Sequence, residues 1–157
     1  MRATPKSWNH LPAPADRADL AFQALFTDAE AEQLFLGLVP EQMEDKWFVY
    51  YEDGWLRFHR SWTGAFIYAL RLDGSPAGVR VVESWVNRDP SQYKATDTEY
   101  DRKLVRFIID AFLLRKPNVA FPMPSGPASA PGVVQHSYVG RGYPESPSNS
   151  SGKAGDA

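Results

Sequence analysis

The sequence predicts an α+β fold, in which a four-stranded antiparallel meander packs against a long C-terminal helix and a shorter N-terminal helix. Turn signals such as Asp53-Gly54 separate consecutive extended runs in the middle of the chain. Capping-box patterns, in which Thr precedes Glu by three residues, open an amphipathic segment on each side of those runs. Strands joined by short turns and flanked by helices are typical of a two-layer domain.

The N-terminal part of the chain predicts an arm followed by one short helix. Residues 1–15 hold three prolines and no periodic pattern, which indicates a flexible arm. The capping-box pair Thr27 and Glu30 then opens a helix that we expect over about residues 28–38. The apolar run 20–26 before it fits either a strand or another helical turn.

Four extended runs are predicted to form the sheet, and the turns between them set its order. Thr63-Gly64 separates the second run from the third, and the turn sequence Asp-Gly-Ser-Pro at 73–76 precedes the fourth. The runs cover residues 46–51, 55–62, 65–72 and 79–86. Short connections of this kind predict an antiparallel meander.

The C-terminal helix is predicted to begin at a second capping-box pattern, residues 96–99, and to continue to about Arg115. Apolar side chains recur on one of its faces, namely Tyr100, Leu104, Phe107, Ile108, Ala111 and Leu114. Residues 117–157 are rich in Pro, Ser and Gly and predict a largely disordered tail. We therefore expect one folded domain over residues 16–116.

Composition excludes several classes of protein. A net charge of −2 provides no basic field, so we expect no nucleic-acid partner. Because the chain has no cysteine, no Gly-rich phosphate loop and no dinucleotide fingerprint, we expect no cofactor and no metal. It also lacks a run of about 18 apolar residues, so we expect no membrane partner and a cytoplasmic location.

The register of the predicted hairpins places His59 at the centre of one sheet face. Two-residue loops would set Tyr50 opposite Arg57 and Tyr68 opposite His59. The reverse face is more apolar, so we expect the long helix to cover it. A single β-bulge would exchange the two faces and make Arg60 central instead.

His59 and Ser61 are the candidates for catalysis. A histidine can act as a general acid or base because its unperturbed pKa lies near neutrality; the alternative is a half-buried ring stacked among aromatic side chains. Ser61 follows His59 by about 6.6 Å along the strand. That separation is too long for the direct hydrogen bond of a Ser–His nucleophile, which favours a structural Ser61 that caps the turn at Thr63.

Arg57 and Arg60 are the candidates for binding, since a guanidinium held among aromatic rings presents a rigid donor fork to phosphate or carboxylate. The alternative is an ion pair with Glu83 and stacking on tryptophan. Glu83 is costly on a strand unless paired, and we expect its partner to be one of these arginines or the nearby histidine. Trp55 and Trp62 would stack on a ligand ring or, alternatively, cover the core at strand ends.

Three short runs carry a resemblance to known sequences: DKWF at 45–48, DGWL at 53–56 and FHRSWTG at 58–64. On these runs the chain resembles a group of small bacterial proteins over roughly residues 40–88. The resemblance implies a shared fold and a site in the same region, and it brings no family mechanism with it.

Two functions from different classes fit these residues. The first is binding of an anionic small ligand, a nucleotide or sugar phosphate, by Arg57 and Arg60, with hydrolysis assisted by His59 as an extension. The second is a protein-interaction module, immunity-type or regulatory, that uses the aromatic sheet face, because exposed Trp, Tyr and Arg dominate interface hot spots. A concave pocket at His59 favours the first function and a flat aromatic patch favours the second.

Overall fold

The computed structural model describes residues 2–42 and 44–123, which form one antiparallel sheet with helices on one face. The strands are β1 (Arg17–Asp19), β2 (Leu25–Phe26), β3 (Trp47–Glu52), β4 (Trp55–Arg60), β5 (Phe66–Ser75) and β6 (Gly78–Asn87). The helices are α1 (Asp28–Leu36) and α2 (Thr98–Ile108), and a π-helical segment, Ile109–Leu113, continues α2. The sheet order is β1-β6-β5-β4-β3, and β2 also pairs with β6.

The predicted α+β class, the antiparallel sheet and the N-terminal helix are confirmed, whereas the strand number and the long C-terminal helix are wrong. Short strands β1 and β2 extend the meander along β6. The C-terminal helix has 16 residues, its π-helical segment included. It ends before Arg115, which has a left-handed φ of 57°, and Pro117 disfavours helical backbone at the residue before it.

Both helices begin at side-chain caps. In α1 the predicted capping box is present, since Thr27 Oγ1 accepts the Glu30 N–H and Glu30 Oε1 accepts the Thr27 N–H, each at 3.0 Å. In α2 the cap is Asp97, whose carboxylate accepts the Tyr100 N–H at 3.1 Å. The cap is therefore Asp97 and not Thr96, the first residue of the predicted box. An acidic cap also interacts favourably with the helix dipole.

The helices cover the apolar face of the sheet, as the sequence predicted. Trp47 of β3 and Phe58 of β4 are buried in the same cluster as Leu104 and Ile108 of α2. None of the helices in the described part of the chain has the length and apolar character needed to cross a bilayer.

The opposite face of the sheet is partly covered by the N-terminal segment. We call residues 3–11 the strap, because they run along this face and bond to the fold at several points. Flexibility of residues 1–15 stays a prediction, although Ala3 is buried against Phe48 and Tyr50. Most of the predicted tail, from residue 124 onward, lies outside the described residues.

Two glycines with positive φ offer a matched stability test. A Cβ at Gly37, where φ is 73°, would clash with the carbonyl oxygen of Val49. A Cβ at Gly54, where φ is 86°, would meet nothing within 4 Å. We expect Gly37→Ala to lower the free energy of unfolding by about 1 to 2 kcal/mol more than Gly54→Ala, because only the former adds a backbone clash to the left-handed strain. Chemical denaturation measures the free energy of unfolding of both variants. Equal losses would show that β3 shifts to accommodate the added Cβ without a further loss of stability.

Candidate functional site

The observed register keeps His59 on the face away from the helices but changes its neighbour on β5. The β3–β4 hairpin is paired as predicted, with Tyr50 opposite Arg57. Between β4 and β5 the chain slips by one residue, so Phe66 lies opposite His59 and Tyr68 lies opposite Phe58. The predicted His59–Tyr68 pair is therefore wrong, because a bulge in the β4–β5 pairing at Phe58 and His59 keeps Phe66 on the face of His59 and turns Tyr68 to the helix face.

His59 is fully buried, at 0% exposure, inside a group of rings. Its imidazole stacks on Phe66 with the ring centroids 4.4 Å apart and lies 5.7 Å from Tyr50. On the outer side, the ring of His10 from the strap lies 5.0 Å away. In this arrangement His59 does not reach solvent, and its predicted acid–base role stays a prediction.

The protonation of His59 follows from its surroundings. Burial lowers its pKa to about 4 against the opposing bond to Gly64, and the charges of His10 and Arg57 reinforce the lowering. Nδ1 lies 3.0 Å from the carbonyl oxygen of Gly64, which can only accept, so Nδ1 carries the proton. Nε2 of the neutral ring is then a lone-pair acceptor, and it has no hydrogen-bond partner among the described residues.

The strap is fastened over this group at both ends. Ala3 donates its N–H to the Leu36 carbonyl and Leu11 donates its N–H to the Gly64 carbonyl, each at 2.8 Å. Between them, the indole Nε1 of Trp8 donates to the carbonyl oxygen of Ser61 at 2.8 Å. Through these hydrogen bonds, residues that are distant from His59 in the sequence keep its side chain buried.

Arg60 and Ser61 are also buried, with 3% and 6% exposure, and they lie towards different neighbours than His59. The Arg60 guanidinium lies over the Trp47 ring at 5.2 Å on the helix side of the sheet, the stacking alternative of the sequence analysis. The Ser61 hydroxyl donates to the carbonyl oxygen of Asp45, so it does not cap the turn at Thr63 as predicted. Both side chains are therefore enclosed, and that of Arg60 lies on the face opposite His59.

The side chains that remain accessible lie on the uncovered half of the same sheet face, which we call the open face. It consists of half-buried or exposed residues of three adjacent strands, Trp55, Arg57, Arg71, Glu83 and Trp85. Glu83 pairs with Arg71, at 3.3 Å between Oε1 and Nε, and the predicted pairing with Arg57, Arg60 or His59 is wrong because Arg71 is directly opposite on β5. Trp62 lies apart in the turn after β4, 63% exposed, with Lys46 Nζ 4.6 Å from its ring.

Arg57 connects the open face to the ring group under the strap. Its guanidinium lies over Tyr50 at 5.7 Å, and one terminal nitrogen donates to the Glu52 carbonyl at 3.2 Å. Its Nε is buried without a hydrogen-bond partner among the described residues. Arg57 is thus the predicted site residue whose position best fits ligand or partner contact.

A buried ionic network that the sequence did not predict lies between α2 and the sheet. Asp101, at 0% exposure, accepts from Arg88 at 2.6 Å and from the hydroxyls of Tyr93 at 2.6 Å and Tyr68 at 3.1 Å. Burial, together with the nearby Tyr93 and Asp101, raises the pKa of Tyr68, so its hydroxyl stays a donor. The spacing of Asp101 three residues before Leu104 was the available signal, since it places a carboxylate on the apolar helix face.

Neither metal-binding geometry in the described part of the chain nor similarity to a known protein identifies a function. Among residues 2–42 and 44–123, no group of three or more His, Cys, Asp or Glu side chains is arranged to hold a metal ion. Comparisons with protein-family models, with curated proteins and with solved structures found no match.

Proposed function

We propose that this protein is an interaction module that docks a protein partner on its open face. The observation that supports the proposal is that Trp55 and Arg57 of β4 and Trp85 of β6, on either side of β5, all remain accessible on one face of the sheet. Trp and Arg on a partly exposed, rigid surface are the residue types that carry most binding energy at interfaces. His59 is fully buried, whereas a concave pocket that opens onto His59 would favour small-ligand binding instead.

The charges of the open face favour a partner of one chemical kind. Glu83 already balances Arg71, whereas Arg57 and Arg17 contact aromatic rings, Tyr50 and Trp85, at 5.7 and 5.2 Å. Two guanidinium groups stacked on rings are suited to carboxylates. We therefore expect the partner to present acidic side chains beside an apolar patch that covers the two tryptophans.

The test is co-purification of the tagged protein from its native host, followed by calorimetry with the recovered partner. We expect Trp55→Ala and Arg57→Ala each to weaken the complex by about 30-fold, the equivalent of a hot-spot loss of about 2 kcal/mol. Trp62→Ala is the matched control, because it removes an equally large exposed indole outside the open face. Unchanged affinity in both open-face variants, with loss in Trp62→Ala, would assign the interface elsewhere.

A second candidate is the binding of an anionic small ligand, a nucleotide or sugar phosphate, next to the strap. It is favoured by two buried nitrogens, Nε2 of His59 and Nε of Arg57, that have no hydrogen-bond partner within residues 2–42 and 44–123, because buried polar atoms are seldom left unsatisfied. Arg57 would meet the charge and His59 would orient the ligand. Thermal-shift screening against phosphorylated compounds tests this candidate; no stabilisation of wild-type or strap variants would count against it.

A further inference from the structure

The strap places a planar nitrogen heterocycle in a ring-lined slot. The imidazole of His10 has three aromatic neighbours on the sheet, with centroid distances of 5.0 Å to His59, 5.5 Å to Tyr50 and 6.0 Å to Phe48. We call these three residues the box. Phe66 backs the box by stacking on His59 at 4.4 Å. Rings at such distances and tilts favour a flat aromatic occupant.

The box also offers a hydrogen-bond acceptor that its present occupant leaves unused. Gly64 fixes the proton of His59 on Nδ1, so the lone pair of Nε2 is available, and no described residue donates to it. Leaving a buried acceptor unpaired costs about 1 to 3 kcal/mol. An aromatic occupant that carries an N–H donor on its ring would remove that cost. His10 does not do so through Nδ1, because this atom lies 3.0 Å from the carbonyl oxygen of Trp8 in the strap.

A cationic group lies at the edge of the box. Tyr50 is shared, because its ring is contacted by His10 from the strap and by the guanidinium of Arg57 at 5.7 Å. Arg57 is half-buried and its Nε lacks a partner in the described part of the chain. An anion attached to the ring occupant would therefore find a donor one side chain away.

We propose that the box and Arg57 form a binding site for a nucleoside monophosphate whose base carries an amino group, and that His10 occupies the base position in its absence. The base stacks among Phe48 and Tyr50, its amino group donates to His59 Nε2, and its phosphate meets Arg57. This inference rests on the second candidate function and adds the ligand class and the role of the strap to it.

Access to the box requires a small movement. His10 is half-buried and lines an open surface cavity of about 620 Å³ formed by residues 5–10. The anchoring N–H groups of Ala3 and Leu11 lie outside the box, so the ring of His10 can leave while the strap stays attached. His10 then competes with the base, and the apparent affinity of the wild-type protein is the intrinsic affinity multiplied by the fraction of time that the box is empty.

The experiment compares wild-type protein with His10→Ala, using Asn9→Ala as the control because Asn9 is the exposed strap neighbour. Calorimetry is run with AMP, with purine riboside monophosphate, which lacks the amino group, and with ribose 5-phosphate, which lacks the base. We expect His10→Ala to bind AMP at least about tenfold tighter than wild type, if the box is empty about a tenth of the time or less. Asn9→Ala should match wild type, and AMP should bind more tightly than the two analogues.

The outcomes separate the inference from the function on which it rests. If His10→Ala binds all three compounds equally, the box is no base site, while anion binding at Arg57 stands. If it binds none of them while its thermal unfolding shows a folded protein, both the inference and the second candidate function are overturned. If wild type and His10→Ala bind AMP with equal affinity, His10 is no competitor and the proposed role of the strap is wrong.

Discussion

Replacing Asp101 with alanine is expected to lower the free energy of unfolding by about 3 to 5 kcal/mol. The carboxylate is fully buried and accepts from one guanidinium and two phenol hydroxyls, those of Arg88, Tyr93 and Tyr68. The substitution removes the acceptor that the three donors share, although the two phenols still bond to each other and Arg88 still donates to Ala95 and Thr98. Arg88 then keeps a charge without this carboxylate, on a side chain that is only 16% exposed. Urea or guanidinium denaturation, with the slope checked for two-state behaviour, measures the loss.

The control for Asp101 is the exposed ion pair between Arg71 and Glu83. Its side chains are 48% and 60% exposed, so Glu83→Ala should change stability by no more than about 1 kcal/mol. A double-mutant cycle of Asp101→Ala with Tyr93→Phe should show coupling, because each removes part of the same network. A loss below about 1 kcal/mol for Asp101→Ala would show that the network does not hold α2 to the sheet.

The elements that sequence reasoning located are those specified by adjacent residues. The capping box of α1 and the Asp53-Gly54 hairpin both depend on side chains and φ angles within four residues, and both are present. Strands β1 and β2 have three and two residues, which is too short to recognise an alternation of apolar and polar side chains. They form because the edge of β6 provides hydrogen-bonding partners for their backbone. Long-range pairing thus decides what local pattern leaves open.

The sequence predicted that the run FHRSWTG displays polar side chains at a site on the sheet, and that site stays a prediction. His59, Arg60 and Ser61 of this run are all buried, which the sequence did not predict. His59 and Arg60 lie on the faces that the hairpin register predicted, whereas the bulge that changes the β5 residue beside His59 has no signal in Thr63-Gly64. His59 is covered by the strap, which is about fifty residues away in the sequence. The composition of the strap is typical of a flexible segment, so its hydrogen bonds to the rest of the fold could not be predicted.

Lowering the pH from 6.5 to 4 is expected to destabilise the protein by about 3 kcal/mol through His59 alone. The pKa of His59 falls from 6.5 to about 4 on folding, chiefly because burial disfavours the charged ring, and each pH unit between those values contributes about 1.4 kcal/mol. In that range the unfolded chain binds a proton that the folded chain does not, so stability falls as pH falls. Below about pH 4 both states are protonated and the effect of His59 is complete.

The comparison that isolates this effect is His59→Asn, whose amide can still donate to the Gly64 carbonyl but does not titrate. Carboxylates, His10 and the facing Arg57 and Tyr50 remain in both proteins, so the difference between their pH profiles belongs to His59. If the strap opens at low pH before the domain unfolds, the Leu11 amide, bonded to the Gly64 carbonyl, exchanges faster with solvent as His59 becomes charged. Parallel stability profiles for wild type and His59→Asn between pH 4 and about pH 6.5 would mean that the ring is hydrated in the folded state and that the strap does not seal it.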